Sequence, residues 1–148
     1  MKNTFISSEL TLRKNFKETW YLIDAKNKCL GRITTKISNI LRGKNKAIFT
    51  SWQNLGDYVI VINVNKINVT GKKFNQKQYF RHSGRPGGKT IENFQTLQSR
   101  LPARIFEKAI KGMLPKNKLG RKLFNKLKIY EGSTHPHMAQ NPQIIEIN

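Results

Sequence analysis

Residues 83–90, SGRPGGKT, are arranged almost like a loop that binds the phosphates of ATP. Such a loop has Gly, four intervening residues and then Gly-Lys-Ser/Thr, and it joins a buried strand to a helix. The second half of the pattern is present, but Ser83 stands where the first glycine belongs and Gly84 lies one residue too close. The preceding segment, residues 75–82, is polar. We therefore expect no ATP site here, and Lys89 to make a peripheral phosphate contact at most.

The histidines and the cysteine are the residues that a metal site would use. They are His82, His135, His137 and Cys29. A structural zinc site usually pairs Cys or His at standard spacing, and a single cysteine beside a His-Pro-His motif does not meet this requirement. We expect no metal and no cofactor, with Cys29 as a small buried apolar residue and the imidazoles in contact with nucleic acid. The carboxylates are scattered, and no pair of them is placed for acid–base catalysis, so we expect no enzyme.

Positive charge dominates the composition. The chain has 28 Lys and Arg against 8 Asp and Glu, a formal net charge of +20. The charge is not confined to a tail, and residues 58–91 and 108–130 contain no acid. Such a surface needs a polyanion, and nucleic acid is the commonest one. Glycines beside Arg81, His82 and Arg85 would let the backbone approach a sugar–phosphate chain closely.

The pattern of apolar residues predicts the elements that position these groups. Strands are predicted at residues 20–25, 58–64 and 66–73, and helices at residues 31–43 and 90–101, between Pro102 and Pro115, and at residues 117–130. This order predicts an α/β fold. We expect a single domain over residues 20–148, including a C-terminal tail, after an N-terminal arm at residues 1–19.

The last two predicted helices are amphipathic. In the first, the inward positions are Ile105, Phe106, Ala109, Ile110 and Met113, and the outward cations are Arg104, Lys108 and Lys111. In the second, the inward positions are Leu119, Leu123 and Leu127, and the outward cations are Lys118, Lys122 and Lys126, with Arg121 beside them. We expect the cations of both helices to face RNA while the apolar residues close the core.

Several segments together resemble one family, ribosomal protein L thirteen of the large subunit, of the bacterial and organellar type. They are WYLIDA (20–25), LGR (30–32), LRGKNK (41–46), GDYVIVIN (56–63), TGKK (70–73), HSGRPGG (82–88), IKGMLPKNKLGRKLFNKLKIYEG (110–132) and HPHMAQNP (135–142). The chain departs from the family pattern at Ser51, Asn54 and Lys89, where the family usually has proline, aspartate and an apolar residue. The glycine loop thus resembles the family's own loop, and the phosphate it meets would belong to ribosomal RNA.

The resemblance implies a three-layer α/β/α sandwich around a mainly parallel four-stranded sheet, with basic loops and N- and C-terminal extensions. It implies a structural constituent of the large ribosomal subunit that binds large-subunit rRNA and supports early subunit assembly and translation. The implied partners are that rRNA and neighbouring large-subunit proteins, with no membrane and no small-molecule substrate. The residues that we expect to bind rRNA are Arg32, Lys44, Lys46, Lys72, Lys73, Arg81, His82, Ser83, Gly84, Arg85, Gly87, Gly88, Lys116, Lys118, Arg121, Lys122, Lys126, His135 and His137.

Two other functions stay open at this point: a free-standing RNA chaperone or regulator, and a small nucleotide hydrolase. The composition is rich in Lys, Ile and Asn, as AT-rich codons would produce. The arm at residues 1–19 is too short for a transit peptide, and no apolar run approaches the ~20 residues of a membrane span. We expect the ribosome of the plastid (chloroplast) stroma as the location, with the bacterial cytoplasm as the alternative.

Overall fold

The computed structural model of the protein describes residues 18–147. The strands are β1 Trp20–Asp24, β2 Tyr58–Ile62, β3 Gln78–His82, β4 Lys89–Asn93, β5 Leu127–Ile129 and β6 Gln143–Ile144. The helices are α1 Leu30–Arg42, α2 Lys73–Gln76, α3 Phe94–Arg100, α4 Pro102–Met113 and α5 Lys118–Phe124, and short 3-10 turns lie at Val64–Lys66 and Met138–Gln140. Residues 1–17 of the predicted arm lie outside the described residues.

The main sheet has four parallel strands in the order β5-β2-β1-β6. Strand β2 is central, which explains its unbroken apolar sequence, since an inner parallel strand is covered on both faces. The register pairs Trp20 with Tyr58 and Asp24 with Ile62. The predicted α/β fold around a mainly parallel four-stranded sheet is confirmed. A separate antiparallel hairpin is formed by β3 and β4.

The core lies between one face of the sheet and the helices. Ile23, Val59 and Val61 of the sheet join one buried cluster with Ile37 of α1 and Ile110 of α4. Helices α1 and α4 also pack against each other. The inward and outward faces predicted for α4 are confirmed, apart from Met113 in its last turn, whose side chain is exposed.

A close backbone contact fixes the end of α1 against the loop that leads into β2. Gly43 has a φ of 75°, and its N–H donates to the carbonyls of Asn39 and Ile40, which ends the helix. A Cβ at Gly56 would lie 1.6 Å from the carbonyl oxygen of Leu41. Glycine is therefore required at Gly56, because any side chain would push the loop away from the helix.

The strand predicted at residues 66–73 is absent from the described residues. Val64–Lys66 form a 3-10 turn, Gly71 has a φ of 65°, and the pairing in this segment is one isolated parallel bridge between Cys29 and Asn68. The alternation of apolar residues is real, because Ile67 is buried and Val69 is half-buried. Residues 66–73 lie beside the loop before α1 and not beside a strand. Their backbone therefore forms no continuous set of strand hydrogen bonds.

The helix predicted at residues 90–101 begins later than expected. Residues 89–93 form β4, and the helix starts at Phe94. Ile91 therefore faces solvent opposite Phe80 of β3 instead of lying on the inner helix face. The β-branched pair of Thr90 and Ile91 favours a strand once β3 supplies a partner.

The helix predicted at residues 117–130 ends early. Helix α5 stops at Phe124, and Leu127 lies in β5, paired with Val59. The tertiary pairing overrides the helical spacing of the leucines. Leu127 and Ile129 are two residues apart, which is the period of a strand.

Candidate nucleic-acid interface

The glycine loop is the turn of the β3–β4 hairpin. The Ser83 N–H donates to the Gly88 carbonyl at 3.1 Å, and the Gly88 N–H donates to the Arg85 carbonyl at 3.0 Å. Gly84 and Gly87 have φ values of 86° and 72°, in the left-handed region that favours glycine. The turn is exposed along its length, apart from half-buried Gly88, so its backbone and Arg85 are accessible to a large ligand.

This geometry differs from that of an ATP-binding loop. The strand before the turn is largely exposed, and the segment after it is a second strand, so no helix begins at the loop. A phosphate loop depends on a buried strand and on the N–H groups of a helix that starts at the loop. The near-match of the sequence to an ATP site therefore has no matching structure.

We expect the protein to show no saturable ATP binding at micromolar concentrations and no ATP hydrolysis, because the loop lacks the helix that would hold phosphates. Calorimetric titration and a phosphate-release assay would test this in the wild type and in Lys89→Ala, with Lys77→Ala as the control. Micromolar binding that disappears only in Lys89→Ala would contradict the prediction.

The hairpin lies against the outer face of α4 through Tyr79. The Nζ atom of Lys108 lies 5.0 Å from the centroid of the Tyr79 ring, and the Nζ atom of Lys77 lies 5.5 Å from it. Burial raises the pKa of the Tyr79 hydroxyl, so the side chain stays neutral beside the two cations. Arg81 and Arg104 line a cavity of about 340 Å³ together with Lys108. The contact thus brings cations from the hairpin and from α4 onto one surface.

A second cavity lies where α4 ends and α5 begins, and its volume is about 440 Å³. Asn117 caps α5 by accepting a hydrogen bond from the Gly120 N–H at 2.8 Å. A Cβ at Gly120 would lie 1.7 Å from the Pro115 carbonyl oxygen, so glycine is required for this approach. Leu114, Pro115 and Phe124 contribute to the apolar part of the cavity, and three cations line it: Lys111, Lys116 and Arg121.

Helix α4 contributes cations to both cavities, and we call the cations of the two cavities together the basic ridge. Lys108 belongs to the first cavity and Lys111 to the second, and the two residues lie about one helical turn apart. The members of the basic ridge are Arg81, Arg104, Lys108, Lys111, Lys116 and Arg121. Three of them, Arg81, Lys116 and Arg121, are among the predicted rRNA-binding residues.

Among the described residues, few carboxylates lie near the basic ridge, and the one that lines either of its cavities is held in an ion pair. Glu92 accepts from Arg100 at 2.5 Å, although it lines the first cavity. Asp57 is buried and pairs with Lys46 at 2.5 Å. Glu107 is the acidic residue of α4 and is exposed. The cations of the ridge therefore outnumber the acids near them.

The other predicted residues occupy several parts of the surface. Lys118 and Lys122 are exposed on α5, on either side of Arg121 in the sequence. Arg32 is exposed on α1, and Lys44 is exposed just after it. Lys72 and Lys73 are exposed at the start of α2. Lys73 also lines a cavity with residues of α1 and α4.

Lys46 has an internal partner. Its Nζ atom lies 2.5 Å from Oδ1 of Asp57, and its side chain is 19 % exposed. The same carboxylate oxygen accepts from the Thr19 N–H at 3.0 Å. Asp57 thus connects the loop after α1 to the residue that precedes β1. In the structure, Lys46 pairs with Asp57 and so takes part in this connection. Its contact with RNA stays a prediction.

Lys126 lies inside the protein, and the prediction that it faces outward is wrong. The residue is 4 % exposed, and its Nζ atom donates to the Gly56 carbonyl at 2.6 Å and to Glu18 Oε1 at 2.9 Å. It also lies 5.3 Å from the centroid of the Tyr58 ring. Because α5 ends before Lys126, helical spacing no longer sets its direction. We therefore exclude Lys126 from the RNA-binding surface.

Replacing Lys126 with Met is expected to lower the free energy of unfolding by about 1–3 kcal/mol, because the buried Gly56 carbonyl would lose its charged donor. Lys122→Met, on the exposed face of α5, is the matched control and should change stability by less than about 0.5 kcal/mol. Chemical denaturation would measure both variants. Equal stability of the two would show that the buried contacts of Lys126 contribute nothing.

His82 lies on the exposed hairpin, whereas His135 and His137 are half-buried. His137 Nε2 lies 2.7 Å from the hydroxyl of Tyr130, and its ring centroid lies 5.4 Å from that of Trp20. His135 Nδ1 accepts from the His137 N–H at 3.2 Å. Within residues 18–147, no group of three or more His, Cys, Asp or Glu side chains is placed to hold a metal ion.

Sequence reasoning missed the apolar face of the hairpin. Phe80 and Ile91 are exposed there, while Tyr79 packs towards Phe94. The available signal was a pair of short segments with aromatic and β-branched residues on both sides of a glycine-rich turn, which is typical of a hairpin. Among the described helices, none is long and apolar enough to cross a membrane.

Comparisons of the sequence with known proteins identify its family. The family model described as ribosomal protein L13 matches residues 18–136. A large ribosomal subunit protein uL13 of Prochlorococcus marinus is 62% identical over 128 residues, which cover 86% of this chain and 85% of the relative. The uL13 protein of Thermosynechococcus vestitus is 63% identical, covering 87% and 85%, and uL13c of Pyropia yezoensis is 63% identical, covering 87% and 91%. With the family model matched across most of its length, the chain belongs to the ribosomal protein L13 family.

Proposed function

We propose that the chain is a structural component of the large ribosomal subunit, and that its basic ridge binds phosphates of large-subunit rRNA. The observation that carries this proposal is that α4 contributes cations to both cavities, one shared with the hairpin and the other with α5. A row of cations on rigid elements suits a phosphate backbone, which presents regularly spaced negative charge. The names of the relatives, which are large ribosomal subunit proteins, support the same role.

The other predicted rRNA contacts belong to this proposal. The exposed glycine turn, the cations of α5 and those near α1 and α2 would extend contact with the rRNA beyond the basic ridge. Neighbouring large-subunit proteins are the proposed protein partners, and support of early subunit assembly is the proposed contribution to translation. The chain is not an enzyme: its family is one of structural ribosomal proteins, and the loop that resembled an ATP site is a hairpin turn.

Removing three charges of the basic ridge tests the proposal. In the variant Lys111→Gln, Lys116→Gln, Arg121→Gln, the slope of log affinity against log salt should fall in magnitude by about 2–3, since each lost phosphate contact removes about 0.7–0.9. Affinity for deproteinised large-subunit rRNA should fall as well, with an unchanged melting temperature.

The matched control removes the same charge elsewhere, at Lys26, Lys28 and Lys66. These lysines lie in the segments that follow β1 and β2, and a hydrogen bond from the Asn27 N–H to the Lys66 carbonyl joins the two segments. An equal loss of slope in both triple variants would show that binding follows net charge alone, which would contradict a specific role of the ridge.

The proposed location is the ribosome of a plastid. The support is the plastid-type relative uL13c of Pyropia yezoensis, the cyanobacterial relatives and the composition typical of AT-rich genomes. Immunoblotting of ribosomal subunits fractionated from isolated plastids tests it, with the protein expected in the large-subunit fraction. Recovery of most of the protein away from ribosomes would favour the alternative of a free-standing RNA chaperone, and its absence from plastids would favour a bacterial source.

A further inference from the structure

The outer face of the β3–β4 hairpin carries an exposed apolar pair. Phe80 is 59% exposed and Ile91 is 48% exposed, and the two residues lie directly opposite each other in the register. Side chains alternate along a strand, so Tyr79 points to the other face, where it meets Phe94 and Lys108. The fold therefore uses Tyr79 for packing and leaves Phe80 exposed to solvent.

A cation lies beside this pair on the same face. Lys89 and His82 form the neighbouring cross-strand pair, towards the turn. The Nζ atom of Lys89 lies 5.0 Å from the centroid of the Phe80 ring. The nearby acid, Glu92, is on the opposite face of the hairpin and pairs with Arg100 at 2.5 Å. An exposed aromatic ring beside a cation, with no acid on its face of the hairpin, complements a ligand that has a flat ring and a negative charge.

We propose that Phe80 is a stacking platform for an unpaired base of rRNA, and that Lys89 neutralises an adjoining phosphate. This inference rests on the proposed function and assigns a base contact beside the phosphate contacts of the basic ridge. The ring presents a π face on which a base stacks, independently of sequence. The base must be unpaired and unstacked, because the faces of a base within a helix are covered by its neighbours. The contact between Lys89 and the Phe80 ring is an exposed one, which a phosphate readily replaces.

Substitutions at Phe80 separate stacking from simple apolar contact. Phe80→Ala and Phe80→Leu should weaken binding to deproteinised large-subunit rRNA by about 5- to 140-fold, which is the range that one stacked base accounts for. Phe80→Tyr and Phe80→Trp should bind within about threefold of the wild type, since both retain a planar ring. The salt slope should stay unchanged in every variant, because no phosphate contact is removed.

The matched control is Ile91→Ala, which removes apolar area from the same face without removing a ring. It should bind like the wild type, and the melting temperature of every variant should match the wild type, since both side chains are exposed. Wild-type affinity of Phe80→Leu would overturn the proposal, because an aliphatic side chain cannot replace a stacked ring. Wild-type affinity of Phe80→Ala would overturn it as well. If the wild type itself fails to bind the rRNA, the proposed function fails instead.

A second measurement locates the contact directly. Ultraviolet irradiation of purified large subunits joins stacked bases to aromatic side chains, and mass spectrometry identifies the crosslinked peptide. A nucleotide attached to Phe80, and none attached to buried Phe106, is the expected result. Crosslinks confined to other peptides, in particular that of Phe124 in the second cavity, would overturn the assignment of the base to the hairpin.

Discussion

Raising monovalent salt from about 50 mM to about 200 mM is expected to weaken rRNA binding by roughly 300- to 2,000-fold. The basic ridge offers six cations, and each phosphate that they neutralise contributes about 0.7 to 0.9 to the slope of log affinity against log salt. Six contacts therefore give a slope of about −4.2 to −5.4. Filter binding or fluorescence anisotropy with deproteinised large-subunit rRNA would measure the slope over this range.

The control for this titration is the triple glutamine variant at Lys111, Lys116 and Arg121, whose slope should be shallower by about 2–3. A wild-type affinity that stays flat over the same range would contradict binding through phosphates. A steep slope that is unchanged in the triple variant would show that other cations contact the phosphates, such as those at the starts of α2 and α5.

Truncating the core residue Ile110 to Ala is expected to lower the free energy of unfolding by about 2–5 kcal/mol. Ile110 is 0% exposed and belongs to the buried cluster between α4 and the sheet. The loss combines the apolar area that is no longer buried with the cavity left behind, because the surrounding side chains relax only in part. Urea denaturation followed by circular dichroism would measure it.

The adjacent residue provides the matched control, because Lys111 lies on the exposed side of the same helix. Lys111→Ala should change stability by less than about 0.5 kcal/mol, while it weakens rRNA binding. Ile110→Ala should bind rRNA normally at temperatures where it remains folded. The reverse pattern, with Lys111→Ala unstable and Ile110→Ala defective in binding, would mean that the two faces of α4 have been assigned the wrong way round.

The elements that the sequence predicted well are those whose residues repeat with a clear period. Strand β2 is apolar throughout, and α4 separates Ile105 and Ile110 from Lys108 and Lys111 at helical spacing. These patterns arise because one side of each element faces the core, and neighbouring residues in the chain are enough to reveal them. The short strands β5 and β6 were missed, because their stability comes from pairing with distant segments.

Some features of the candidate site were also predictable from the sequence, and others were not. Its cations were recognisable because charge and spacing are visible in the chain, and the outward face of α4 was predicted as such. The grouping of Arg81 with the cations of α4 was not predicted, since it depends on the hairpin docking against α4 through Tyr79. The direction of Lys126 was predicted wrongly, because its partners, Glu18 and Gly56, are far away in sequence. Contacts of this kind are set by tertiary structure, which no local pattern encodes.

The pairing of β1 with β6 has a consequence for synthesis of the chain on a ribosome. Tyr21 pairs with Gln143, so one edge of the sheet stays unpaired until residues 143–144 have emerged from the ribosome. Pairings between such distant segments form slowly, and an open strand edge invites association with other chains. Helices α4 and α5 end at residues 113 and 124 and emerge earlier. We therefore expect the nascent chain to present cationic helices before its sheet is complete, and rRNA that binds them would shield the chain during the interval when it is most prone to aggregation.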